Sequence, residues 1–151
     1  MLRQGPVIFP TDFSECSLHA LATAEELAQR LEKSLLIIHV AESVGAENIT
    51  FGEVEQTLQP AGYRSRLQAD LQTIRPTADD LKVEYLITDG DPPKAILQLA
   101  EERHASLIVM GTHGRTGVQR LLLGGTTQYV VRHAVCPVVT IKQPPESSHP
   151  A

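Results

Sequence analysis

The chain has 151 residues, of which 42% are hydrophobic and 21% charged, a composition typical of one globular domain large enough to bury a core. Its 18 acidic and 13 basic side chains give a net charge of −5, which excludes non-specific nucleic-acid binding because no basic excess can neutralise a phosphate backbone. The sequence has no Cys-x-x-Cys pair, no apolar run as long as a membrane span and no signal peptide, so we expect a cytoplasmic protein that contacts no membrane.

The first part of the chain predicts a strand, a helix and a second strand. The apolar run Pro6–Pro10 is typical of a strand, and Ser14 is a good N-cap for a helix that continues to about Glu32. Leu35–Val40 is apolar at almost every position. Such a run indicates a strand that is buried on both faces in the middle of a parallel sheet.

The middle of the chain predicts one more helix and one more strand. Residues 41–54 are polar and are predicted to form a loop. A helix is predicted from about Val54 to Ala78, and Pro60 and Pro76 should kink, start or end it. The mixed pattern of Val83–Thr88 predicts the third strand.

The last part of the chain predicts two helices, two strands and a tail. Asp91 as N-cap and Pro92 at the first helical position begin a helix that runs to about His104. The elements predicted after it are a strand over 106–110, a glycine-rich loop, a helix over 126–132, a strand over 137–141 and a disordered tail over 143–151.

Five strands that alternate with helices predict an α/β fold: a doubly wound, five-stranded parallel sheet with helices on both faces, in one domain over 1–142. In such folds ligands bind beyond the carboxyl ends of the strands, where the strand order reverses. If the first and fourth strands are neighbours, the Pro10–Ser14 turn meets the glycine-rich loop.

The glycine-rich loop is the most informative segment of the sequence. Gly111, Gly114 and Gly124 form a G-x2-G-x9-G pattern between a predicted strand and a predicted helix. Backbone without side chains next to a helix N-terminus can bind phosphate oxygens, which indicates a nucleotide site. The alternative interpretation is a tight connection whose glycines serve turn geometry only.

Other candidate residues follow the predicted strands. The Asp12 carboxylate could accept hydrogen bonds from a ribose or a base, or it could bond the backbone of its own turn. The backbone of Val40 could pair with an adenine edge, or Val40 could be core packing alone. Arg115 could bind phosphate bidentately, or it could be solvated. His39 and His113 are conceivable metal ligands, but no third ligand is evident.

Over residues 5–142 the chain resembles the universal stress protein family. The resemblance rests on several motifs in the right order, which are Pro10-Thr11-Asp12-Phe13-Ser14, Ile38-His39-Val40, Asp89-Gly90-Asp91-Pro92, residues 110–117 with Leu121-Leu122-Leu123-Gly124, and Cys136-Pro137-Val138. The resemblance implies a five-stranded α/β fold related to the adenine nucleotide α-hydrolases, which is usually dimeric. It also implies ATP binding, with Mg or Mn accompanying the triphosphate.

Carried over by motif, Asp12 would contact the ribose or adenine, Val40 the adenine, and the glycines the phosphates. The chain departs from the family at Gly125, where the ATP-binding motif has Ser or Thr. One lost hydroxyl contact costs about 0.5–1.5 kcal/mol, which is at most about tenfold in affinity. Thr126 or Thr127 could supply a hydroxyl instead. The complete predicted site is Pro10, Thr11, Asp12, Val40, Met110, Gly111, Gly114, Arg115, Gly124, Gly125 and Thr126.

The resemblance implies a stress-response protein that binds an adenine nucleotide and acts as a regulatory or signalling dimer. We expect slow ATP hydrolysis at most, because no nucleophile and base are paired in the sequence. The alternative is a family member that binds no ATP and acts as a protein-interaction module. We expect a homodimer through the last strand, Pro137 to Ile141, whose exposed apolar edge invites pairing. A proline at Val139 is predicted to remove a backbone donor from that edge.

Overall fold

The structure is a computed structural model that describes residues 2–42, 60–112 and 123–143. The strands in these ranges are β1 (Val7–Pro10), β2 (Leu35–Ala41), β3 (Val83–Asp89), β4 (Leu107–Gly111) and β5 (Val138–Ile141). The helices are α1 (Glu15–His19), α2 (Leu21–Arg30), α3 (Pro60–Gln72), α4 (Pro92–Glu102) and α5 (Gly125–His133). The predicted loop and tail lie mostly outside the described residues.

The strands form a five-stranded sheet in the order β3-β2-β1-β4-β5, and every pair is parallel. The predicted α/β fold class is therefore confirmed. β1 pairs with both β2 and β4, so the first and fourth strands are neighbours, as the predicted site requires. The strand order reverses between them, which is where ligands bind in sheets of this kind.

Side chains from each strand pack into two separate cores, one on each face of the sheet. On one face, Val7 and Phe9 pack with Ala24 of α2. On the other face, Ile8 packs with Ile96 of α4 and Val130 of α5. Helices therefore cover both faces, and this explains why the central strands are apolar at successive positions rather than at alternate ones.

The first predicted helix begins as expected but is not continuous. Ser14 is the N-cap, and its Oγ accepts a hydrogen bond from the Ser17 N–H at 3.2 Å. α1 ends before Ala20, whose N–H donates to the Ser17 carbonyl three residues back. The Ser17 hydroxyl also donates to the Ser14 carbonyl at 3.0 Å. Side-chain bonds of this kind compete with the helical pattern, so an uninterrupted helix to Glu32 was a wrong prediction.

α3 ends at Gln72, short of the predicted Ala78. The buried carboxylate of Glu25 explains where the chain goes instead. Its Oε1 accepts hydrogen bonds from the Thr77 hydroxyl at 2.8 Å and from the Ala78 N–H at 2.6 Å. Residues 77–78 are therefore hydrogen-bonded to α2. A helix α3 that continued to Ala78 could not make these bonds. The predicted start of this helix, at Val54, lies outside the described residues.

β5 forms one edge of the sheet, and only alternate residues direct their backbone groups outward. The Ile108 N–H donates to the Pro137 carbonyl at 3.0 Å, and the Thr112 N–H donates to the Ile141 carbonyl at 3.2 Å. Residues 137, 139 and 141 therefore face β4, and Val138 and Thr140 face outward. The prediction that a proline at Val139 removes an edge donor is wrong, because that N–H belongs to the β4–β5 ladder.

None of the helices in the described ranges is both long enough and apolar enough to cross a membrane.

Candidate functional site

The candidate site lies beyond the carboxyl ends of β1 and β4. β1 leads into α1 on one face of the sheet, and the chain after β4 returns to α5 on the other face. In sheets of this kind a ligand-binding crevice is expected where one strand connects to each face, and this edge of the sheet is called the crevice below. The structure thereby brings Pro10, Thr11 and Asp12 next to the strand that ends in Met110 and Gly111.

The turn between β1 and α1 is fixed by a set of short hydrogen bonds. The Thr11 N–H donates to the Ile38 carbonyl at 2.8 Å, and the Thr11 hydroxyl accepts from the Phe13 N–H at 3.0 Å. Asp12 Oδ1 accepts from the Ser14 N–H at 2.9 Å. The turn role considered for Asp12 is therefore real. It fixes the carboxylate in the turn after β1, and a contact with a nucleoside stays a prediction.

The N-terminus of α5 is anchored to the end of β4. The Thr112 carbonyl accepts from the Gly124 N–H at 2.7 Å, and the Gly111 carbonyl accepts from the Thr127 hydroxyl at 2.9 Å. Gly124 is the N-cap and offers no side chain, so no side-chain bond caps α5. The first N–H groups of a helix have no partner within it and bear partial positive charge. At Gly125 and Thr126 they suit an anion.

The glycines of the predicted motif serve different purposes. A β-carbon on Gly111 would lie 2.7 Å from the Cys16 carbonyl oxygen and 3.1 Å from its Sγ. Gly111 therefore permits close packing of α1 on β4. This packing requires a glycine at position 111 whether or not a phosphate binds there. A β-carbon on Gly125 would meet nothing within 4 Å. Gly114 and Arg115 lie outside the described residues.

Buried polar side chains gather at this end of the sheet. Four of the six buried polar or charged residues that the structure describes follow β1 or β4, namely Thr11, Ser17, Thr112 and Thr127. The Thr11 and Ser17 hydroxyls are 2.9 Å apart, and Cys16 Sγ is 4.0 Å from the Thr112 hydroxyl. The sequence interpretation included Thr11 in the site and named Thr127 as an alternative hydroxyl donor, but it assigned no binding role to Ser17 or Thr112. Threonines directly after apolar strands were the available signal.

The backbone of Val40 faces the crevice. The Ile38 carbonyl accepts from Thr11 on the β1 side, and the Ala41 carbonyl accepts from Gly90 on the β3 side. Because backbone groups alternate in direction along a strand, those of Val40 point to the β1 side, like those of Ile38. β1 has ended at Pro10. Val40 itself is one residue short of the strand end, which is Ala41.

Two predicted site residues can offer only backbone to a ligand. Met110 is 5% exposed, and its side chain packs in the apolar core with Ile108 and Val130. Pro10 is buried at the end of β1 and has no N–H to donate. In the part of the chain that the structure describes, no group of three or more His, Cys, Asp or Glu could hold a metal ion.

Comparisons with known proteins agree with this fold. The sequence profile of the Universal stress protein family matches residues 5–142. A universal stress protein of Methanocaldococcus jannaschii is 31% identical over 145 residues, which cover 91% of this chain and 82% of that protein. The structure of the universal stress protein UspA from Lactobacillus plantarum superimposes with a TM-score of 0.71 at 25% identity, covering 93% of this chain and 99% of that one. A universal stress protein solved in complex with cAMP gives a TM-score of 0.60 at 25% identity, over 94% and 98% of the two chains.

The fold defines a doubly wound α/β protein, with buried polar side chains gathered where its strand order reverses. The chain belongs to the universal stress protein family.

Proposed function

We propose that the protein binds an adenine nucleotide, ATP by the family resemblance, in the crevice between β1 and β4. The observation that carries the proposal is the uncapped N-terminus of α5, tied to β4 and next to the turn that presents Asp12. An uncapped helix N-terminus suits phosphates, and a carboxylate suits hydroxyls or an amine. The related protein in complex with cAMP supports an adenine nucleotide as the ligand class.

Each side of the crevice would bind a different part of the nucleotide. Asp12 and the Val40 backbone would bind the ribose and the adenine, with Pro10 and Thr11 shaping that end. Gly124, Gly125 and Thr126 would bind the phosphates through backbone N–H groups. Gly114 and Arg115 join them by the family resemblance alone. Mg or Mn would enter with the triphosphate, whose oxygens are the hard ligands that these ions prefer.

The site is built to hold a ligand rather than to transform it. The Asp12 carboxylate accepts a backbone hydrogen bond on Oδ1 and would give its remaining acceptor positions to the nucleoside rather than to a water. A base that activates water needs an available lone pair at hydrogen-bond distance from that water. We therefore propose a regulatory or signalling role in which nucleotide occupancy is the signal.

We propose that the protein is a homodimer paired through β5. The two edges of the sheet differ in charge. β3 carries Glu84, which pairs with Arg103 at 3.0 Å, and Asp89, which pairs with Arg64 at 2.9 Å. β5 has no charged residue. Charges protect an edge against pairing, so β5 is the edge that favours a two-fold partner.

Titration calorimetry of nucleotide-free protein with ATP tests the proposal. We expect a dissociation constant below about 1 mM, and weakening of about tenfold in Asp12→Asn, because a neutral amide loses charge-assisted hydrogen bonds. That variant retains an oxygen to accept from the Ser14 N–H, so the turn should persist. The alternative function, a protein-interaction module, is favoured by Gly125 in place of a hydroxyl residue. A wild-type protein that binds no ATP at millimolar concentration would select it.

A further inference from the structure

The His39 side chain links β2 to the residue that follows β1, at the proposed nucleoside end of the crevice. Its Nδ1 lies 2.8 Å from the Thr11 carbonyl oxygen. A carbonyl can only accept, so Nδ1 carries the proton and donates. The Phe13 ring packs on the imidazole, with the ring centroids 4.6 Å apart. Phe13 does this from a left-handed backbone conformation, with φ of 66°, which is uncommon for a bulky residue.

If the β1–β2 ladder continued regularly, the Thr11 carbonyl would accept a hydrogen bond from the Val40 N–H. In a parallel pair, a residue that accepts from one position on the neighbouring strand is followed two residues later by one that donates back to that position. The Ile38 carbonyl accepts from the Thr11 N–H, so the next bond of the ladder would run from the Val40 N–H to the Thr11 carbonyl. Among the described residues that backbone bond is not made, and the His39 imidazole donates to the carbonyl instead.

We infer that His39 is a positioning residue, which ends the β1–β2 ladder by taking the Thr11 carbonyl and so leaves the Val40 N–H to a ligand. The same bond fixes the residue before Asp12, so both nucleoside contacts depend on one side chain. The part of this inference that concerns a ligand rests on the proposed nucleotide function. The part that concerns the ladder does not.

Nuclear magnetic resonance of the nucleotide-free protein tests the ladder directly, through scalar couplings across hydrogen bonds. We expect a coupling between the Thr11 nitrogen and the Ile38 carbonyl carbon, and none between the Val40 nitrogen and the Thr11 carbonyl carbon. The imidazole nitrogen shifts should show the proton on Nδ1. A Val40–Thr11 coupling in the wild type overturns the inference without any variant.

Two substitutions separate positioning from packing. His39→Leu keeps the bulk of the side chain but has no donor, so the Val40–Thr11 coupling should appear. His39→Asn places an amide nitrogen where Nδ1 lies, so it should behave as the wild type. Calorimetry should then show ATP weakened about tenfold in His39→Leu and restored in His39→Asn, as expected for one hydrogen bond. Inorganic tripolyphosphate should bind all three proteins equally, because it does not reach Val40.

The outcomes distinguish this inference from the proposed function. If the wild type binds neither ATP nor tripolyphosphate, the nucleotide function fails, and the couplings still decide the role of His39. If the wild type binds ATP and His39→Leu binds it equally well, with no new coupling, then His39 positions nothing. If both variants lose ATP and tripolyphosphate together, the effect is structural and the inference is also wrong.

Discussion

The carbonyl oxygen of Cys16 lies 2.7 Å from the point that a β-carbon on Gly111 would occupy. Both groups are backbone-fixed, so neither can rotate away. We expect Gly111→Ala to lower the free energy of unfolding by about 1–3 kcal/mol, as overpacking does in a filled core. Urea denaturation measures it. Gly125→Ala is the matched control, since its methyl group meets nothing within 4 Å. Equal stability of Gly111→Ala and the wild type would show that α1 is not packed this closely.

Gly125→Ser should strengthen ATP binding. The new hydroxyl has open space and stands at the first position of α5, where the family motif has Ser or Thr. One added hydrogen bond is worth about 0.5–1.5 kcal/mol, which is at most about tenfold in affinity. Calorimetry with ATP measures the change, and Gly125→Ala separates the hydroxyl from the methyl group. An unchanged affinity in Gly125→Ser would mean that the phosphates lie elsewhere.

Thr140→Pro should dissociate the proposed dimer and leave the fold intact. The Thr140 N–H faces outward from β5, so its loss affects a partner strand rather than β4. Sedimentation analysis at about tens of micromolar protein should show a dimer for the wild type and a monomer for the variant. In contrast, Val139→Pro removes a bond of the β4–β5 ladder and should destabilise the fold itself. A folded Thr140→Pro protein that stays dimeric would place the interface elsewhere.

Glu25→Ala should destabilise the fold, although no ligand is near. The buried carboxylate accepts from Thr77 and Ala78, and the loss of a hydrogen bond to a charged group costs about 1.5–3 kcal/mol. The adjacent Glu26 is a natural control. It is exposed and pairs with Arg30 one helical turn away, which is worth about 0.3–0.5 kcal/mol. Chemical denaturation that gives equal losses for the two variants would contradict the described role of Glu25.

Cys136 should make the protein less stable at alkaline pH. Burial raises the pKa of its thiol above the ordinary 9.0, although the charge of Arg3 offsets part of the effect. The unfolded chain then loses its proton at a lower pH than the folded chain. The stabilisation is complete below pH 9.0 and is lost as the pH rises through the folded value. Urea midpoints measured from pH 7 upward should fall more steeply for the wild type than for Cys136→Ala, and parallel slopes would argue against the shift.

Much of the fold could be predicted because its signals are local. Apolar runs such as Leu35–Val40 can be satisfied only by a strand with a helix layer on each side. Asp91 followed by Pro92 marks a helix start whatever lies around it. The pairing of β1 with β4 could be predicted only from the fold class, because no pattern within either strand indicates which strand lies next to it.

The errors have long-range or side-chain causes. The end of α3 depends on Glu25, which lies far away in the sequence, and no local pattern contains that contact. The break in the helix near Ala20 depends on the hydrogen bond that the Ser17 hydroxyl donates to the Ser14 carbonyl. The contact of Gly111 with a phosphate stays a prediction, because packing against Cys16 is by itself reason enough for a glycine there. Only the three-dimensional neighbours of a glycine distinguish these two purposes.

The pairing of β1 with β4 has a consequence for how the protein is made. Val7 and Leu107 are register partners, yet they are about one hundred residues apart in the chain. At synthesis rates of roughly 5–20 residues per second, β4 leaves the ribosome on the order of 5–20 seconds after β1 does. During that interval the backbone of β1 that β4 will cover is open to other strands. The two halves of the proposed site meet only after β4 has been made, so a ligand that needs both halves would stabilise the completed sheet and not an early stage of folding.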